Sequence, residues 1–207
     1  MLDLETLLRV PHVDQWIGFD PSPDGSDVVF SHNQTGRWEI YAASLVDPGP
    51  MRRLISGRGG RFGPRWAPAG DRLAWVVDAD GGEVYDVELH DLAAGATLNL
   101  TPDTPDSIQP EVDWSPDGAE ITFASDRGGS FDTYALPATG GAPRLVWPSP
   151  RPHWGARWSP DGRHLAIVVE ASGQDTAIYI AAAAGGGAWP IACGDEPIPA
   201  GDPAWSP

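Results

Sequence analysis

The chain has 207 residues, a formal net charge of −16 and many glycines (25) and prolines (22). This length is enough to bury one all-β domain or two small domains. The strong negative charge argues against binding to a nucleic-acid backbone or an anionic membrane surface. Cys193 is the single cysteine, which excludes an intrachain disulfide. The glycines and prolines recur at fixed offsets, which indicates many turns rather than disorder.

The N-terminal segment, residues 1–15, precedes the regular part of the chain. Leu4, Leu7 and Leu8 would share one side of a short helical turn over residues 2–9, which Pro11 would end. The first residues include acids where a signal peptide needs a basic start, and no apolar run approaches the ~18 residues of a transmembrane helix. We therefore expect a soluble, cytoplasmic protein that does not bind membranes.

From residue 16 onward the chain repeats one motif. A Ser-Pro-Asp-Gly core or a variant of it begins at residues 22, 67, 115 and 159, and a last Ser-Pro begins at 206, at intervals of 45, 48, 44 and 47 residues. Asp-Gly is a strong turn signal because glycine readily adopts a positive φ. Pro21 precedes the first copy, and a tryptophan precedes each of the others: Trp66, Trp114, Trp158 and Trp205.

Each copy is followed by patterns typical of short strands. Ile121 and Phe123 alternate with polar or small residues, and an aromatic-containing strand such as Glu83–Val87 or Phe131–Tyr134 comes next. Together with the strand before each motif, every unit holds four strands in ~45 residues, the period of a propeller blade. We predict an all-β fold, a β-propeller of four-stranded antiparallel blades over about 16–55, 62–101, 109–147 and 153–192, with the first strand of a fifth blade at 200–207.

The alternating apolar positions predict the faces by which neighbouring blades pack. We expect the motif tryptophans to cover these contacts, and the alternative is a ligand-stacking role for Trp66, Trp114 or Trp158. Four blades and the start of a fifth indicate a fragment of a longer chain or a four-bladed propeller with an unusual closure. Open faces on the first and last blades favour association, so a homodimer forming an eight-bladed ring is a further hypothesis.

Other patterns give no catalytic, metal-binding or cofactor-binding residue, and no cofactor is expected. Asp78–Glu83 resembles the start of a calcium loop but lacks the distant Glu, so a hairpin turn is preferred. Gly185–Gly187 fits a strand-to-strand turn, and Asp126 with Arg127 predicts a turn with a neighbouring ion pair. The histidines are scattered without the spacing of a zinc site: His12, His32, His90, His153 and His164.

The Trp-Ser-Pro-Asp-Gly units resemble a WD-repeat-like propeller family. That family includes TolB-like translocation proteins and the N-terminal propellers of prolyl oligopeptidase family serine peptidases. Residues Glu5–Val13, and Gly36–Tyr41 followed by Arg52–Leu54, resemble the start and first blade of acylaminoacyl-peptidase-like members. The resemblance implies a propeller that covers an α/β-hydrolase domain, restricts access of large folded substrates and helps to shape the substrate cavity.

The sequence carries no hydrolase chemistry of its own. There is no Gly-x-Ser-x-Gly segment, and Asp195-Glu196 does not match the paired glutamates that hold a substrate amino terminus in some dipeptidyl peptidases. We therefore expect a non-catalytic propeller that gates access and helps to bind peptides for a hydrolase domain. The alternatives are a TolB-like propeller that binds a protein partner and a free-standing scaffold. Basic residues are too few for a nucleic-acid groove.

Overall fold

The computed structural model of this chain describes residues 10–14, 18–102, 108–172, 175–193, 196–197 and 203–206. These residues form strands and turns without an α-helix, so the all-β prediction is confirmed. Consistent with this, none of the described residues belongs to a helix that could cross a membrane. The predicted helical turn over residues 2–9 lies outside the described residues, as do the side chains of Cys193 and Glu196 and the whole of Asp195.

Four antiparallel sheets follow one another along the chain, and in each the four strands are hydrogen-bonded in chain order. Blades 1 and 2 contain β1 (Phe19–Pro21), β2 (Asp27–His32), β3 (Glu39–Ser44), β4 (Arg52–Ile55), β5 (Gly60–Trp66), β6 (Arg72–Asp78), β7 (Tyr85–Asp91) and β8 (Ala96–Asn99). Blades 3 and 4 contain β9 (Ile108–Trp114), β10 (Glu120–Ser125), β11 (Asp132–Pro137), β12 (Arg144–Trp147), β13 (His153–Trp158), β14 (His164–Ser172), β15 (Asp175–Ala182) and β16 (Ala188–Pro190). A small hairpin of β17 (Ala192–Cys193) and β18 (Glu196–Pro197) comes next.

The first strand of each blade lies on the inside of the arrangement. The strands β1, β5, β9 and β13 contact one another in this order from blade to blade. The fourth strands pair with the third strands of their own blades at the outer edge of each sheet. The first strands therefore surround the propeller axis, as in other propellers built from four-stranded blades.

The repeated motif forms the turn between the first and second strands. In blade 3 the hydroxyl of Ser115 donates to Asp117 Oδ1 at 2.6 Å, and the same oxygen accepts the N–H of Ala119 at 3.0 Å. Gly118 has a φ of 69°, which explains the glycine. The hydrogen bond from Ser115 is the main reason that the pKa of Asp117 is lowered. We name this arrangement the Ser–Asp latch.

Blades 1 and 4 repeat the Ser–Asp latch, whereas blade 2 lacks it. Ser22 donates to Asp24 at 2.6 Å, and Ser159 donates to Asp161 at 2.7 Å. The bonds from Ser22 and then from Ser26 lower the pKa of Asp24 to about 2. Blade 2 keeps only the turn backbone, because alanines occupy positions 67 and 69.

The apolar core lies between the blades, as the alternating patterns predict. One cluster joins Val29 and Ile40 of blade 1 to Leu73 and Trp75 of blade 2. A second cluster fills the junction of blades 2 and 3, and a third joins Trp147 of blade 3 to residues of blade 4. Trp66, Trp114 and Trp158 belong to these clusters or pack against them, which confirms their predicted place at the blade contacts.

The hairpin after β6 differs in detail from the prediction, which began the next strand at Glu83. The carboxylate of Asp78 accepts the N–H of Gly81 at 2.8 Å and that of Glu83 at 3.2 Å. Glu83 has a φ of 58°, so β7 begins only at Tyr85. The segment is thus the predicted hairpin turn, with Asp78 as its cap.

Two other predicted turns are present, and one has an additional role. Gly185 and Gly186 turn the chain from β15 to β16 with φ of 93° and 117°. The N–H of Gly129 donates to the carbonyl of Asp126 at 2.7 Å. The guanidinium of Arg127 lies 5.1 Å from the centres of the Phe123 and Tyr134 rings, so this residue is held by cation–π packing.

Large side chains are exposed on the first and last blades. Phe19 of β1 is 67% exposed and Trp154 of β13 is 56% exposed. Such apolar surface favours association. The homodimer stays a prediction.

Candidate axial binding site

Charged side chains of the inner strands converge at the propeller axis. The residue directly before Pro21 or the motif tryptophan alternates between acid and base from blade to blade, and Glu111 lies two residues earlier on β9. Asp113 pairs with Thr122 in the sheet at the position where Asp20 pairs with Val29. We name this set the axial cluster: Asp20, Arg65, Glu111, Asp113 and Arg157.

Glu111 joins the two arginines of the axial cluster. Its Oε1 lies 4.0 Å from Arg65 Nη2 and accepts a hydrogen bond from Arg157 Nη2. The exposed fractions of the Arg65, Glu111 and Arg157 side chains are 11%, 23% and 25%. The three groups therefore link blades 2, 3 and 4 while keeping part of their surface open to solvent.

The two aspartates of the axial cluster have pKa values above their ordinary value. Burial among the inner strands is the main cause for both Asp20 and Asp113, although each keeps some solvent-accessible surface. The nearby Arg65 and Arg157 oppose this rise at both sites. Positive and negative charges are therefore far better balanced in the axial cluster than in the chain as a whole. The axis is not a strongly negative site that would attract cations through charge alone.

The aspartates also connect neighbouring blades, at every second junction. The backbone N–H of Trp66 in blade 2 donates to Asp20 Oδ2 of blade 1 at 2.7 Å. The backbone N–H of Trp158 in blade 4 donates to Asp113 Oδ2 of blade 3 at 3.0 Å. Blades 1 and 2 are thus joined in the same way as blades 3 and 4.

The remaining junctions use a different bond. The indole N–H of Trp114 in blade 3 donates to the carbonyl of Arg65 in blade 2 at 3.1 Å. The indole N–H of Trp205 donates to the carbonyl of Arg157 in blade 4 at 2.9 Å. The junctions therefore alternate along the chain between a carboxylate acceptor and a carbonyl acceptor.

Two clefts open beside the motif turns, at the junctions where the carboxylate bond occurs. One of about 290 Å³ lies between blades 1 and 2, where Asp24, Asp27 and Trp66 line it. Another of about 360 Å³ lies between blades 3 and 4, where Arg144 and Trp158 line it. Trp66 and Trp158 thus each form a cleft wall, in addition to their packing role.

An arginine fills the corresponding position at the junction of blades 2 and 3. Arg72 donates to the carbonyl of Gly118 at 3.2 Å, and its guanidinium lies 5.1 Å from the centre of the Trp114 ring. The residue at the start of the second strand thus differs between these junctions. Asp27 and Glu120 line the two clefts, whereas Arg72 reaches across to blade 3.

Sequence reasoning predicted no site residue and missed the axial cluster. The available signal was the charge at one repeat position, because Asp20, Arg65, Asp113 and Arg157 all directly precede the motif tryptophan or Pro21. An apolar or neutral residue is expected where an inner strand only packs. A charged residue at this position in four consecutive blades therefore indicates an axial function.

The repeat, the blade order and the strand content identify a known propeller class, and residues 22–183 match the TolB beta propeller domain family. The chain belongs to the TolB beta propeller family. Among individual proteins it is similar to the uncharacterized peptidase YuxL of Bacillus subtilis (strain 168), with 30% identity over 111 residues. That alignment covers 51% of this chain and 17% of the peptidase.

Solved structures of other proteins share its fold. TolB from Acinetobacter baumannii superposes with a TM-score of 0.71 at 23% identity, over 84% of this chain and 42% of that protein. A Mycobacterium tuberculosis puromycin-hydrolyzing peptidase superposes with a TM-score of 0.63 at 22% identity, over 78% of this chain and 27% of that protein. The chain is thus a propeller domain related both to TolB and to peptidase propellers, and it spans less than half of each of these relatives.

Proposed function

We propose that this propeller binds peptide segments at its axial cluster and gates access to an α/β-hydrolase domain of a prolyl-oligopeptidase-like peptidase. The axial cluster carries the proposal. Its carboxylates and guanidiniums are only partly buried, and they occupy the inner strands that line the axis. A peptide entering there meets acceptors for its N–H and amino groups and donors for its carbonyl and carboxylate groups.

The peptidase assignment is supported by the similarity to YuxL, which is named as a peptidase, and by the puromycin-hydrolyzing peptidase among the solved structures. In this proposal the propeller is non-catalytic. The axial cluster has carboxylates and guanidiniums but no nucleophile paired with a base. Catalysis would belong to the hydrolase domain. A cytoplasmic location is part of the same proposal.

A second candidate is a TolB-like propeller that binds a protein partner. The observation favouring it is the closer superposition on TolB, with a TM-score of 0.71 against 0.63 for the peptidase. The coding sequence after residue 207 discriminates the two. Further blades followed by a Gly-x-Ser-x-Gly segment support the peptidase, and further blades followed by a stop support the TolB-like protein.

Peptide binding is tested by isothermal titration of the chain with short unstructured peptides. Arg157→Gln should weaken binding about tenfold, because a charge-assisted contact is lost. Arg163→Gln is the matched control, since Arg163 forms an exposed pair with Asp161 outside the axial cluster. Equal loss in both variants, or no binding by the unmodified chain, would contradict axial peptide binding.

A hydrolysis assay tests the non-catalytic assignment. A clean preparation of this chain should leave chromogenic peptide substrates intact, because the proposed nucleophile lies in another domain. Turnover that persists after repeated purification and co-elutes with the chain would overturn that assignment.

A further inference from the structure

The carboxylate of Glu111 lies between two guanidiniums that come from different blades. Arg157 Nη2 donates to its Oε1, and Arg65 Nη2 lies 4.0 Å from the same oxygen. Proteins bind the carboxylates of ligands with the same groups, because the planar guanidinium presents donors that match a carboxylate. The strands β5, β9 and β13 thus form a carboxylate site with a side chain of the protein inside it.

Gly155 provides the space for this carboxylate. A Cβ atom at position 155 would overlap Oε2 of Glu111 and also crowd the rest of its carboxyl group. Gly155 is not among the glycines with a positive φ, so its backbone conformation does not require glycine. The missing side chain therefore serves to admit a carboxylate next to β13.

The site is open enough for an exchange of occupants. Arg157 and Glu111 keep about a quarter of their side-chain surface exposed, at 25% and 23%. Asp20 and Asp113 lie within electrostatic reach of Arg157 and partly offset its charge. A singly charged carboxylate suits this environment, whereas a phosphate dianion would be repelled by the two aspartates.

We infer that Glu111 is the internal occupant of a carboxylate-binding site and that a ligand carboxylate displaces it from Arg65 and Arg157. The chemical class of the ligand is a peptide carboxylate, either the C-terminal group or an acidic side chain. This inference deepens the proposed axial peptide binding and rests on it for the identity of the ligand. The carboxylate site itself stands on the geometry of Glu111, Gly155 and the two arginines.

The first experiment removes the carboxylate of Glu111 and tests, through the melting temperature, which anions can replace it. Glu111→Ala should lower the melting temperature, and millimolar sodium formate or acetate should restore part of the loss, whereas sodium chloride at equal ionic strength should not. Glu120→Ala is the control, because Glu120 pairs with the single guanidinium of Arg144 at 2.6 Å beside the cleft between blades 3 and 4, outside the axial cluster. No rescue of Glu111→Ala, or equal rescue of both variants, would overturn the inference.

Glu111→Gln provides a second variant that keeps the side-chain volume if Glu111→Ala does not fold. The neutral amide is a weaker competitor for the two guanidiniums, so formate should raise the melting temperature of this variant more than that of the unmodified chain. An identical response of both proteins to formate would count against displacement.

The second experiment identifies the source of the carboxylate. Acetyl-Ala-Ala-Ala with a free carboxylate, its C-terminal amide, and acetyl-Ala-Asp-Ala-amide are titrated into the unmodified chain and Glu111→Ala. A displaced Glu111 predicts about tenfold tighter binding of a carboxylate peptide to the variant, and unchanged binding of the amide. The free acid and the aspartyl peptide distinguish a terminal carboxylate from a side-chain carboxylate.

The two experiments distinguish failure of the proposed function from failure of the inference about Glu111. Formate rescue without binding of any peptide would keep the carboxylate site and reject axial peptide binding. Peptide binding that ignores the carboxylate, without formate rescue, would keep the proposed function and reject the role of Glu111.

Discussion

Trp158 donates its indole N–H to the hydroxyl of Thr122 at 3.1 Å across the junction of blades 3 and 4. The equivalent tryptophan at the junction of blades 1 and 2 is Trp66, whose indole N–H is buried and has no partner in the described part of the chain. Val29 occupies the place of Thr122, since each pairs with the aspartate of its own inner strand. One junction therefore satisfies its indole and the other does not.

Val29→Thr should supply the missing acceptor. The Thr122 hydroxyl also donates to the carbonyl of Asp113 at 3.3 Å, so a hydroxyl at position 29 has both a donor and an acceptor available by analogy. We expect an unchanged unfolding free energy or a gain of up to about 1 kcal/mol in urea denaturation. Val76→Thr, at another fully buried valine, should instead cost about 1–3 kcal/mol. Equal losses in the two variants would contradict the analogy.

Blade 2 should gain stability from the Ser–Asp latch that it lacks. The double variant Ala67→Ser/Ala69→Asp would restore the side-chain hydrogen bonds present around Ser115 and Asp117. Because the turn backbone is already in place, we expect the melting temperature to rise by a few degrees. Ser115→Ala, which removes the Ser–Asp latch from blade 3, should lower it. A lower melting temperature for Ala67→Ser/Ala69→Asp as well as for Ser115→Ala would contradict the prediction and show that buried position 67 does not tolerate a hydroxyl.

Asp113→Asn should be tolerated much better than Asp113→Ala. The amide oxygen of asparagine still accepts the N–H of Trp158. The neutral amide also avoids the cost of burying a charged carboxylate, which is what raises the pKa of Asp113. Both variants remove the negative charge beside the two arginines, but only alanine also removes the acceptor for the N–H of Trp158. We expect a loss of about 1–3 kcal/mol for alanine and a smaller change for asparagine, measured by urea denaturation. Similar losses would exclude the hydrogen bond as the main contribution of Asp113.

His153 should make the propeller less stable in acid. Its side chain is 1% exposed, and burial lowers its pKa to about 4, so the folded chain holds it neutral. Between pH 6.5, the ordinary pKa of histidine, and about pH 4, His153 is protonated in the unfolded chain but stays neutral in the folded chain. The stability contributed by the neutral imidazole is therefore complete above this window and falls as the pH drops through it, by about 3 kcal/mol in total.

The dependence on His153 is measured by urea denaturation at several pH values. His153→Gln should flatten the fall between about pH 6.5 and pH 4, because the glutamine does not titrate. His164→Gln replaces a less buried histidine and serves as the matched control. Parallel curves for the unmodified chain and His153→Gln would assign the acid sensitivity to other groups.

The sequence predicted the blades well because their signals are local. The proline and glycine of each motif determine a turn, and alternating apolar residues such as Ile121 and Phe123 indicate a strand, although both faces of β10 are buried between the blades. The start of β7 was misplaced because the cap by Asp78 depends on side-chain geometry rather than on strand propensity. Local patterns thus defined the elements more reliably than their ends.

The axial cluster could not be predicted in the same way. A charge in an alternating strand normally indicates a solvated face, and Arg65 and Glu111 are 46 residues apart in the chain. Only the closure of the inner strands around an axis brings them together. The sequence also gives no sign of the role of Gly155, because that role depends on a carboxylate from the preceding blade. Aligning the repeats on their tryptophans would have exposed the charged position.

The alternating junctions have a consequence for how propellers of this kind change in length. A blade that offers an aspartate carboxylate to its neighbour is followed by one that offers a backbone carbonyl. Duplication or deletion of a single blade would place two junctions of the same type next to each other and disturb the sequence of charges around the axis. Gain or loss of two blades preserves both. The blade pair is accordingly the smallest unit whose addition or removal keeps both patterns.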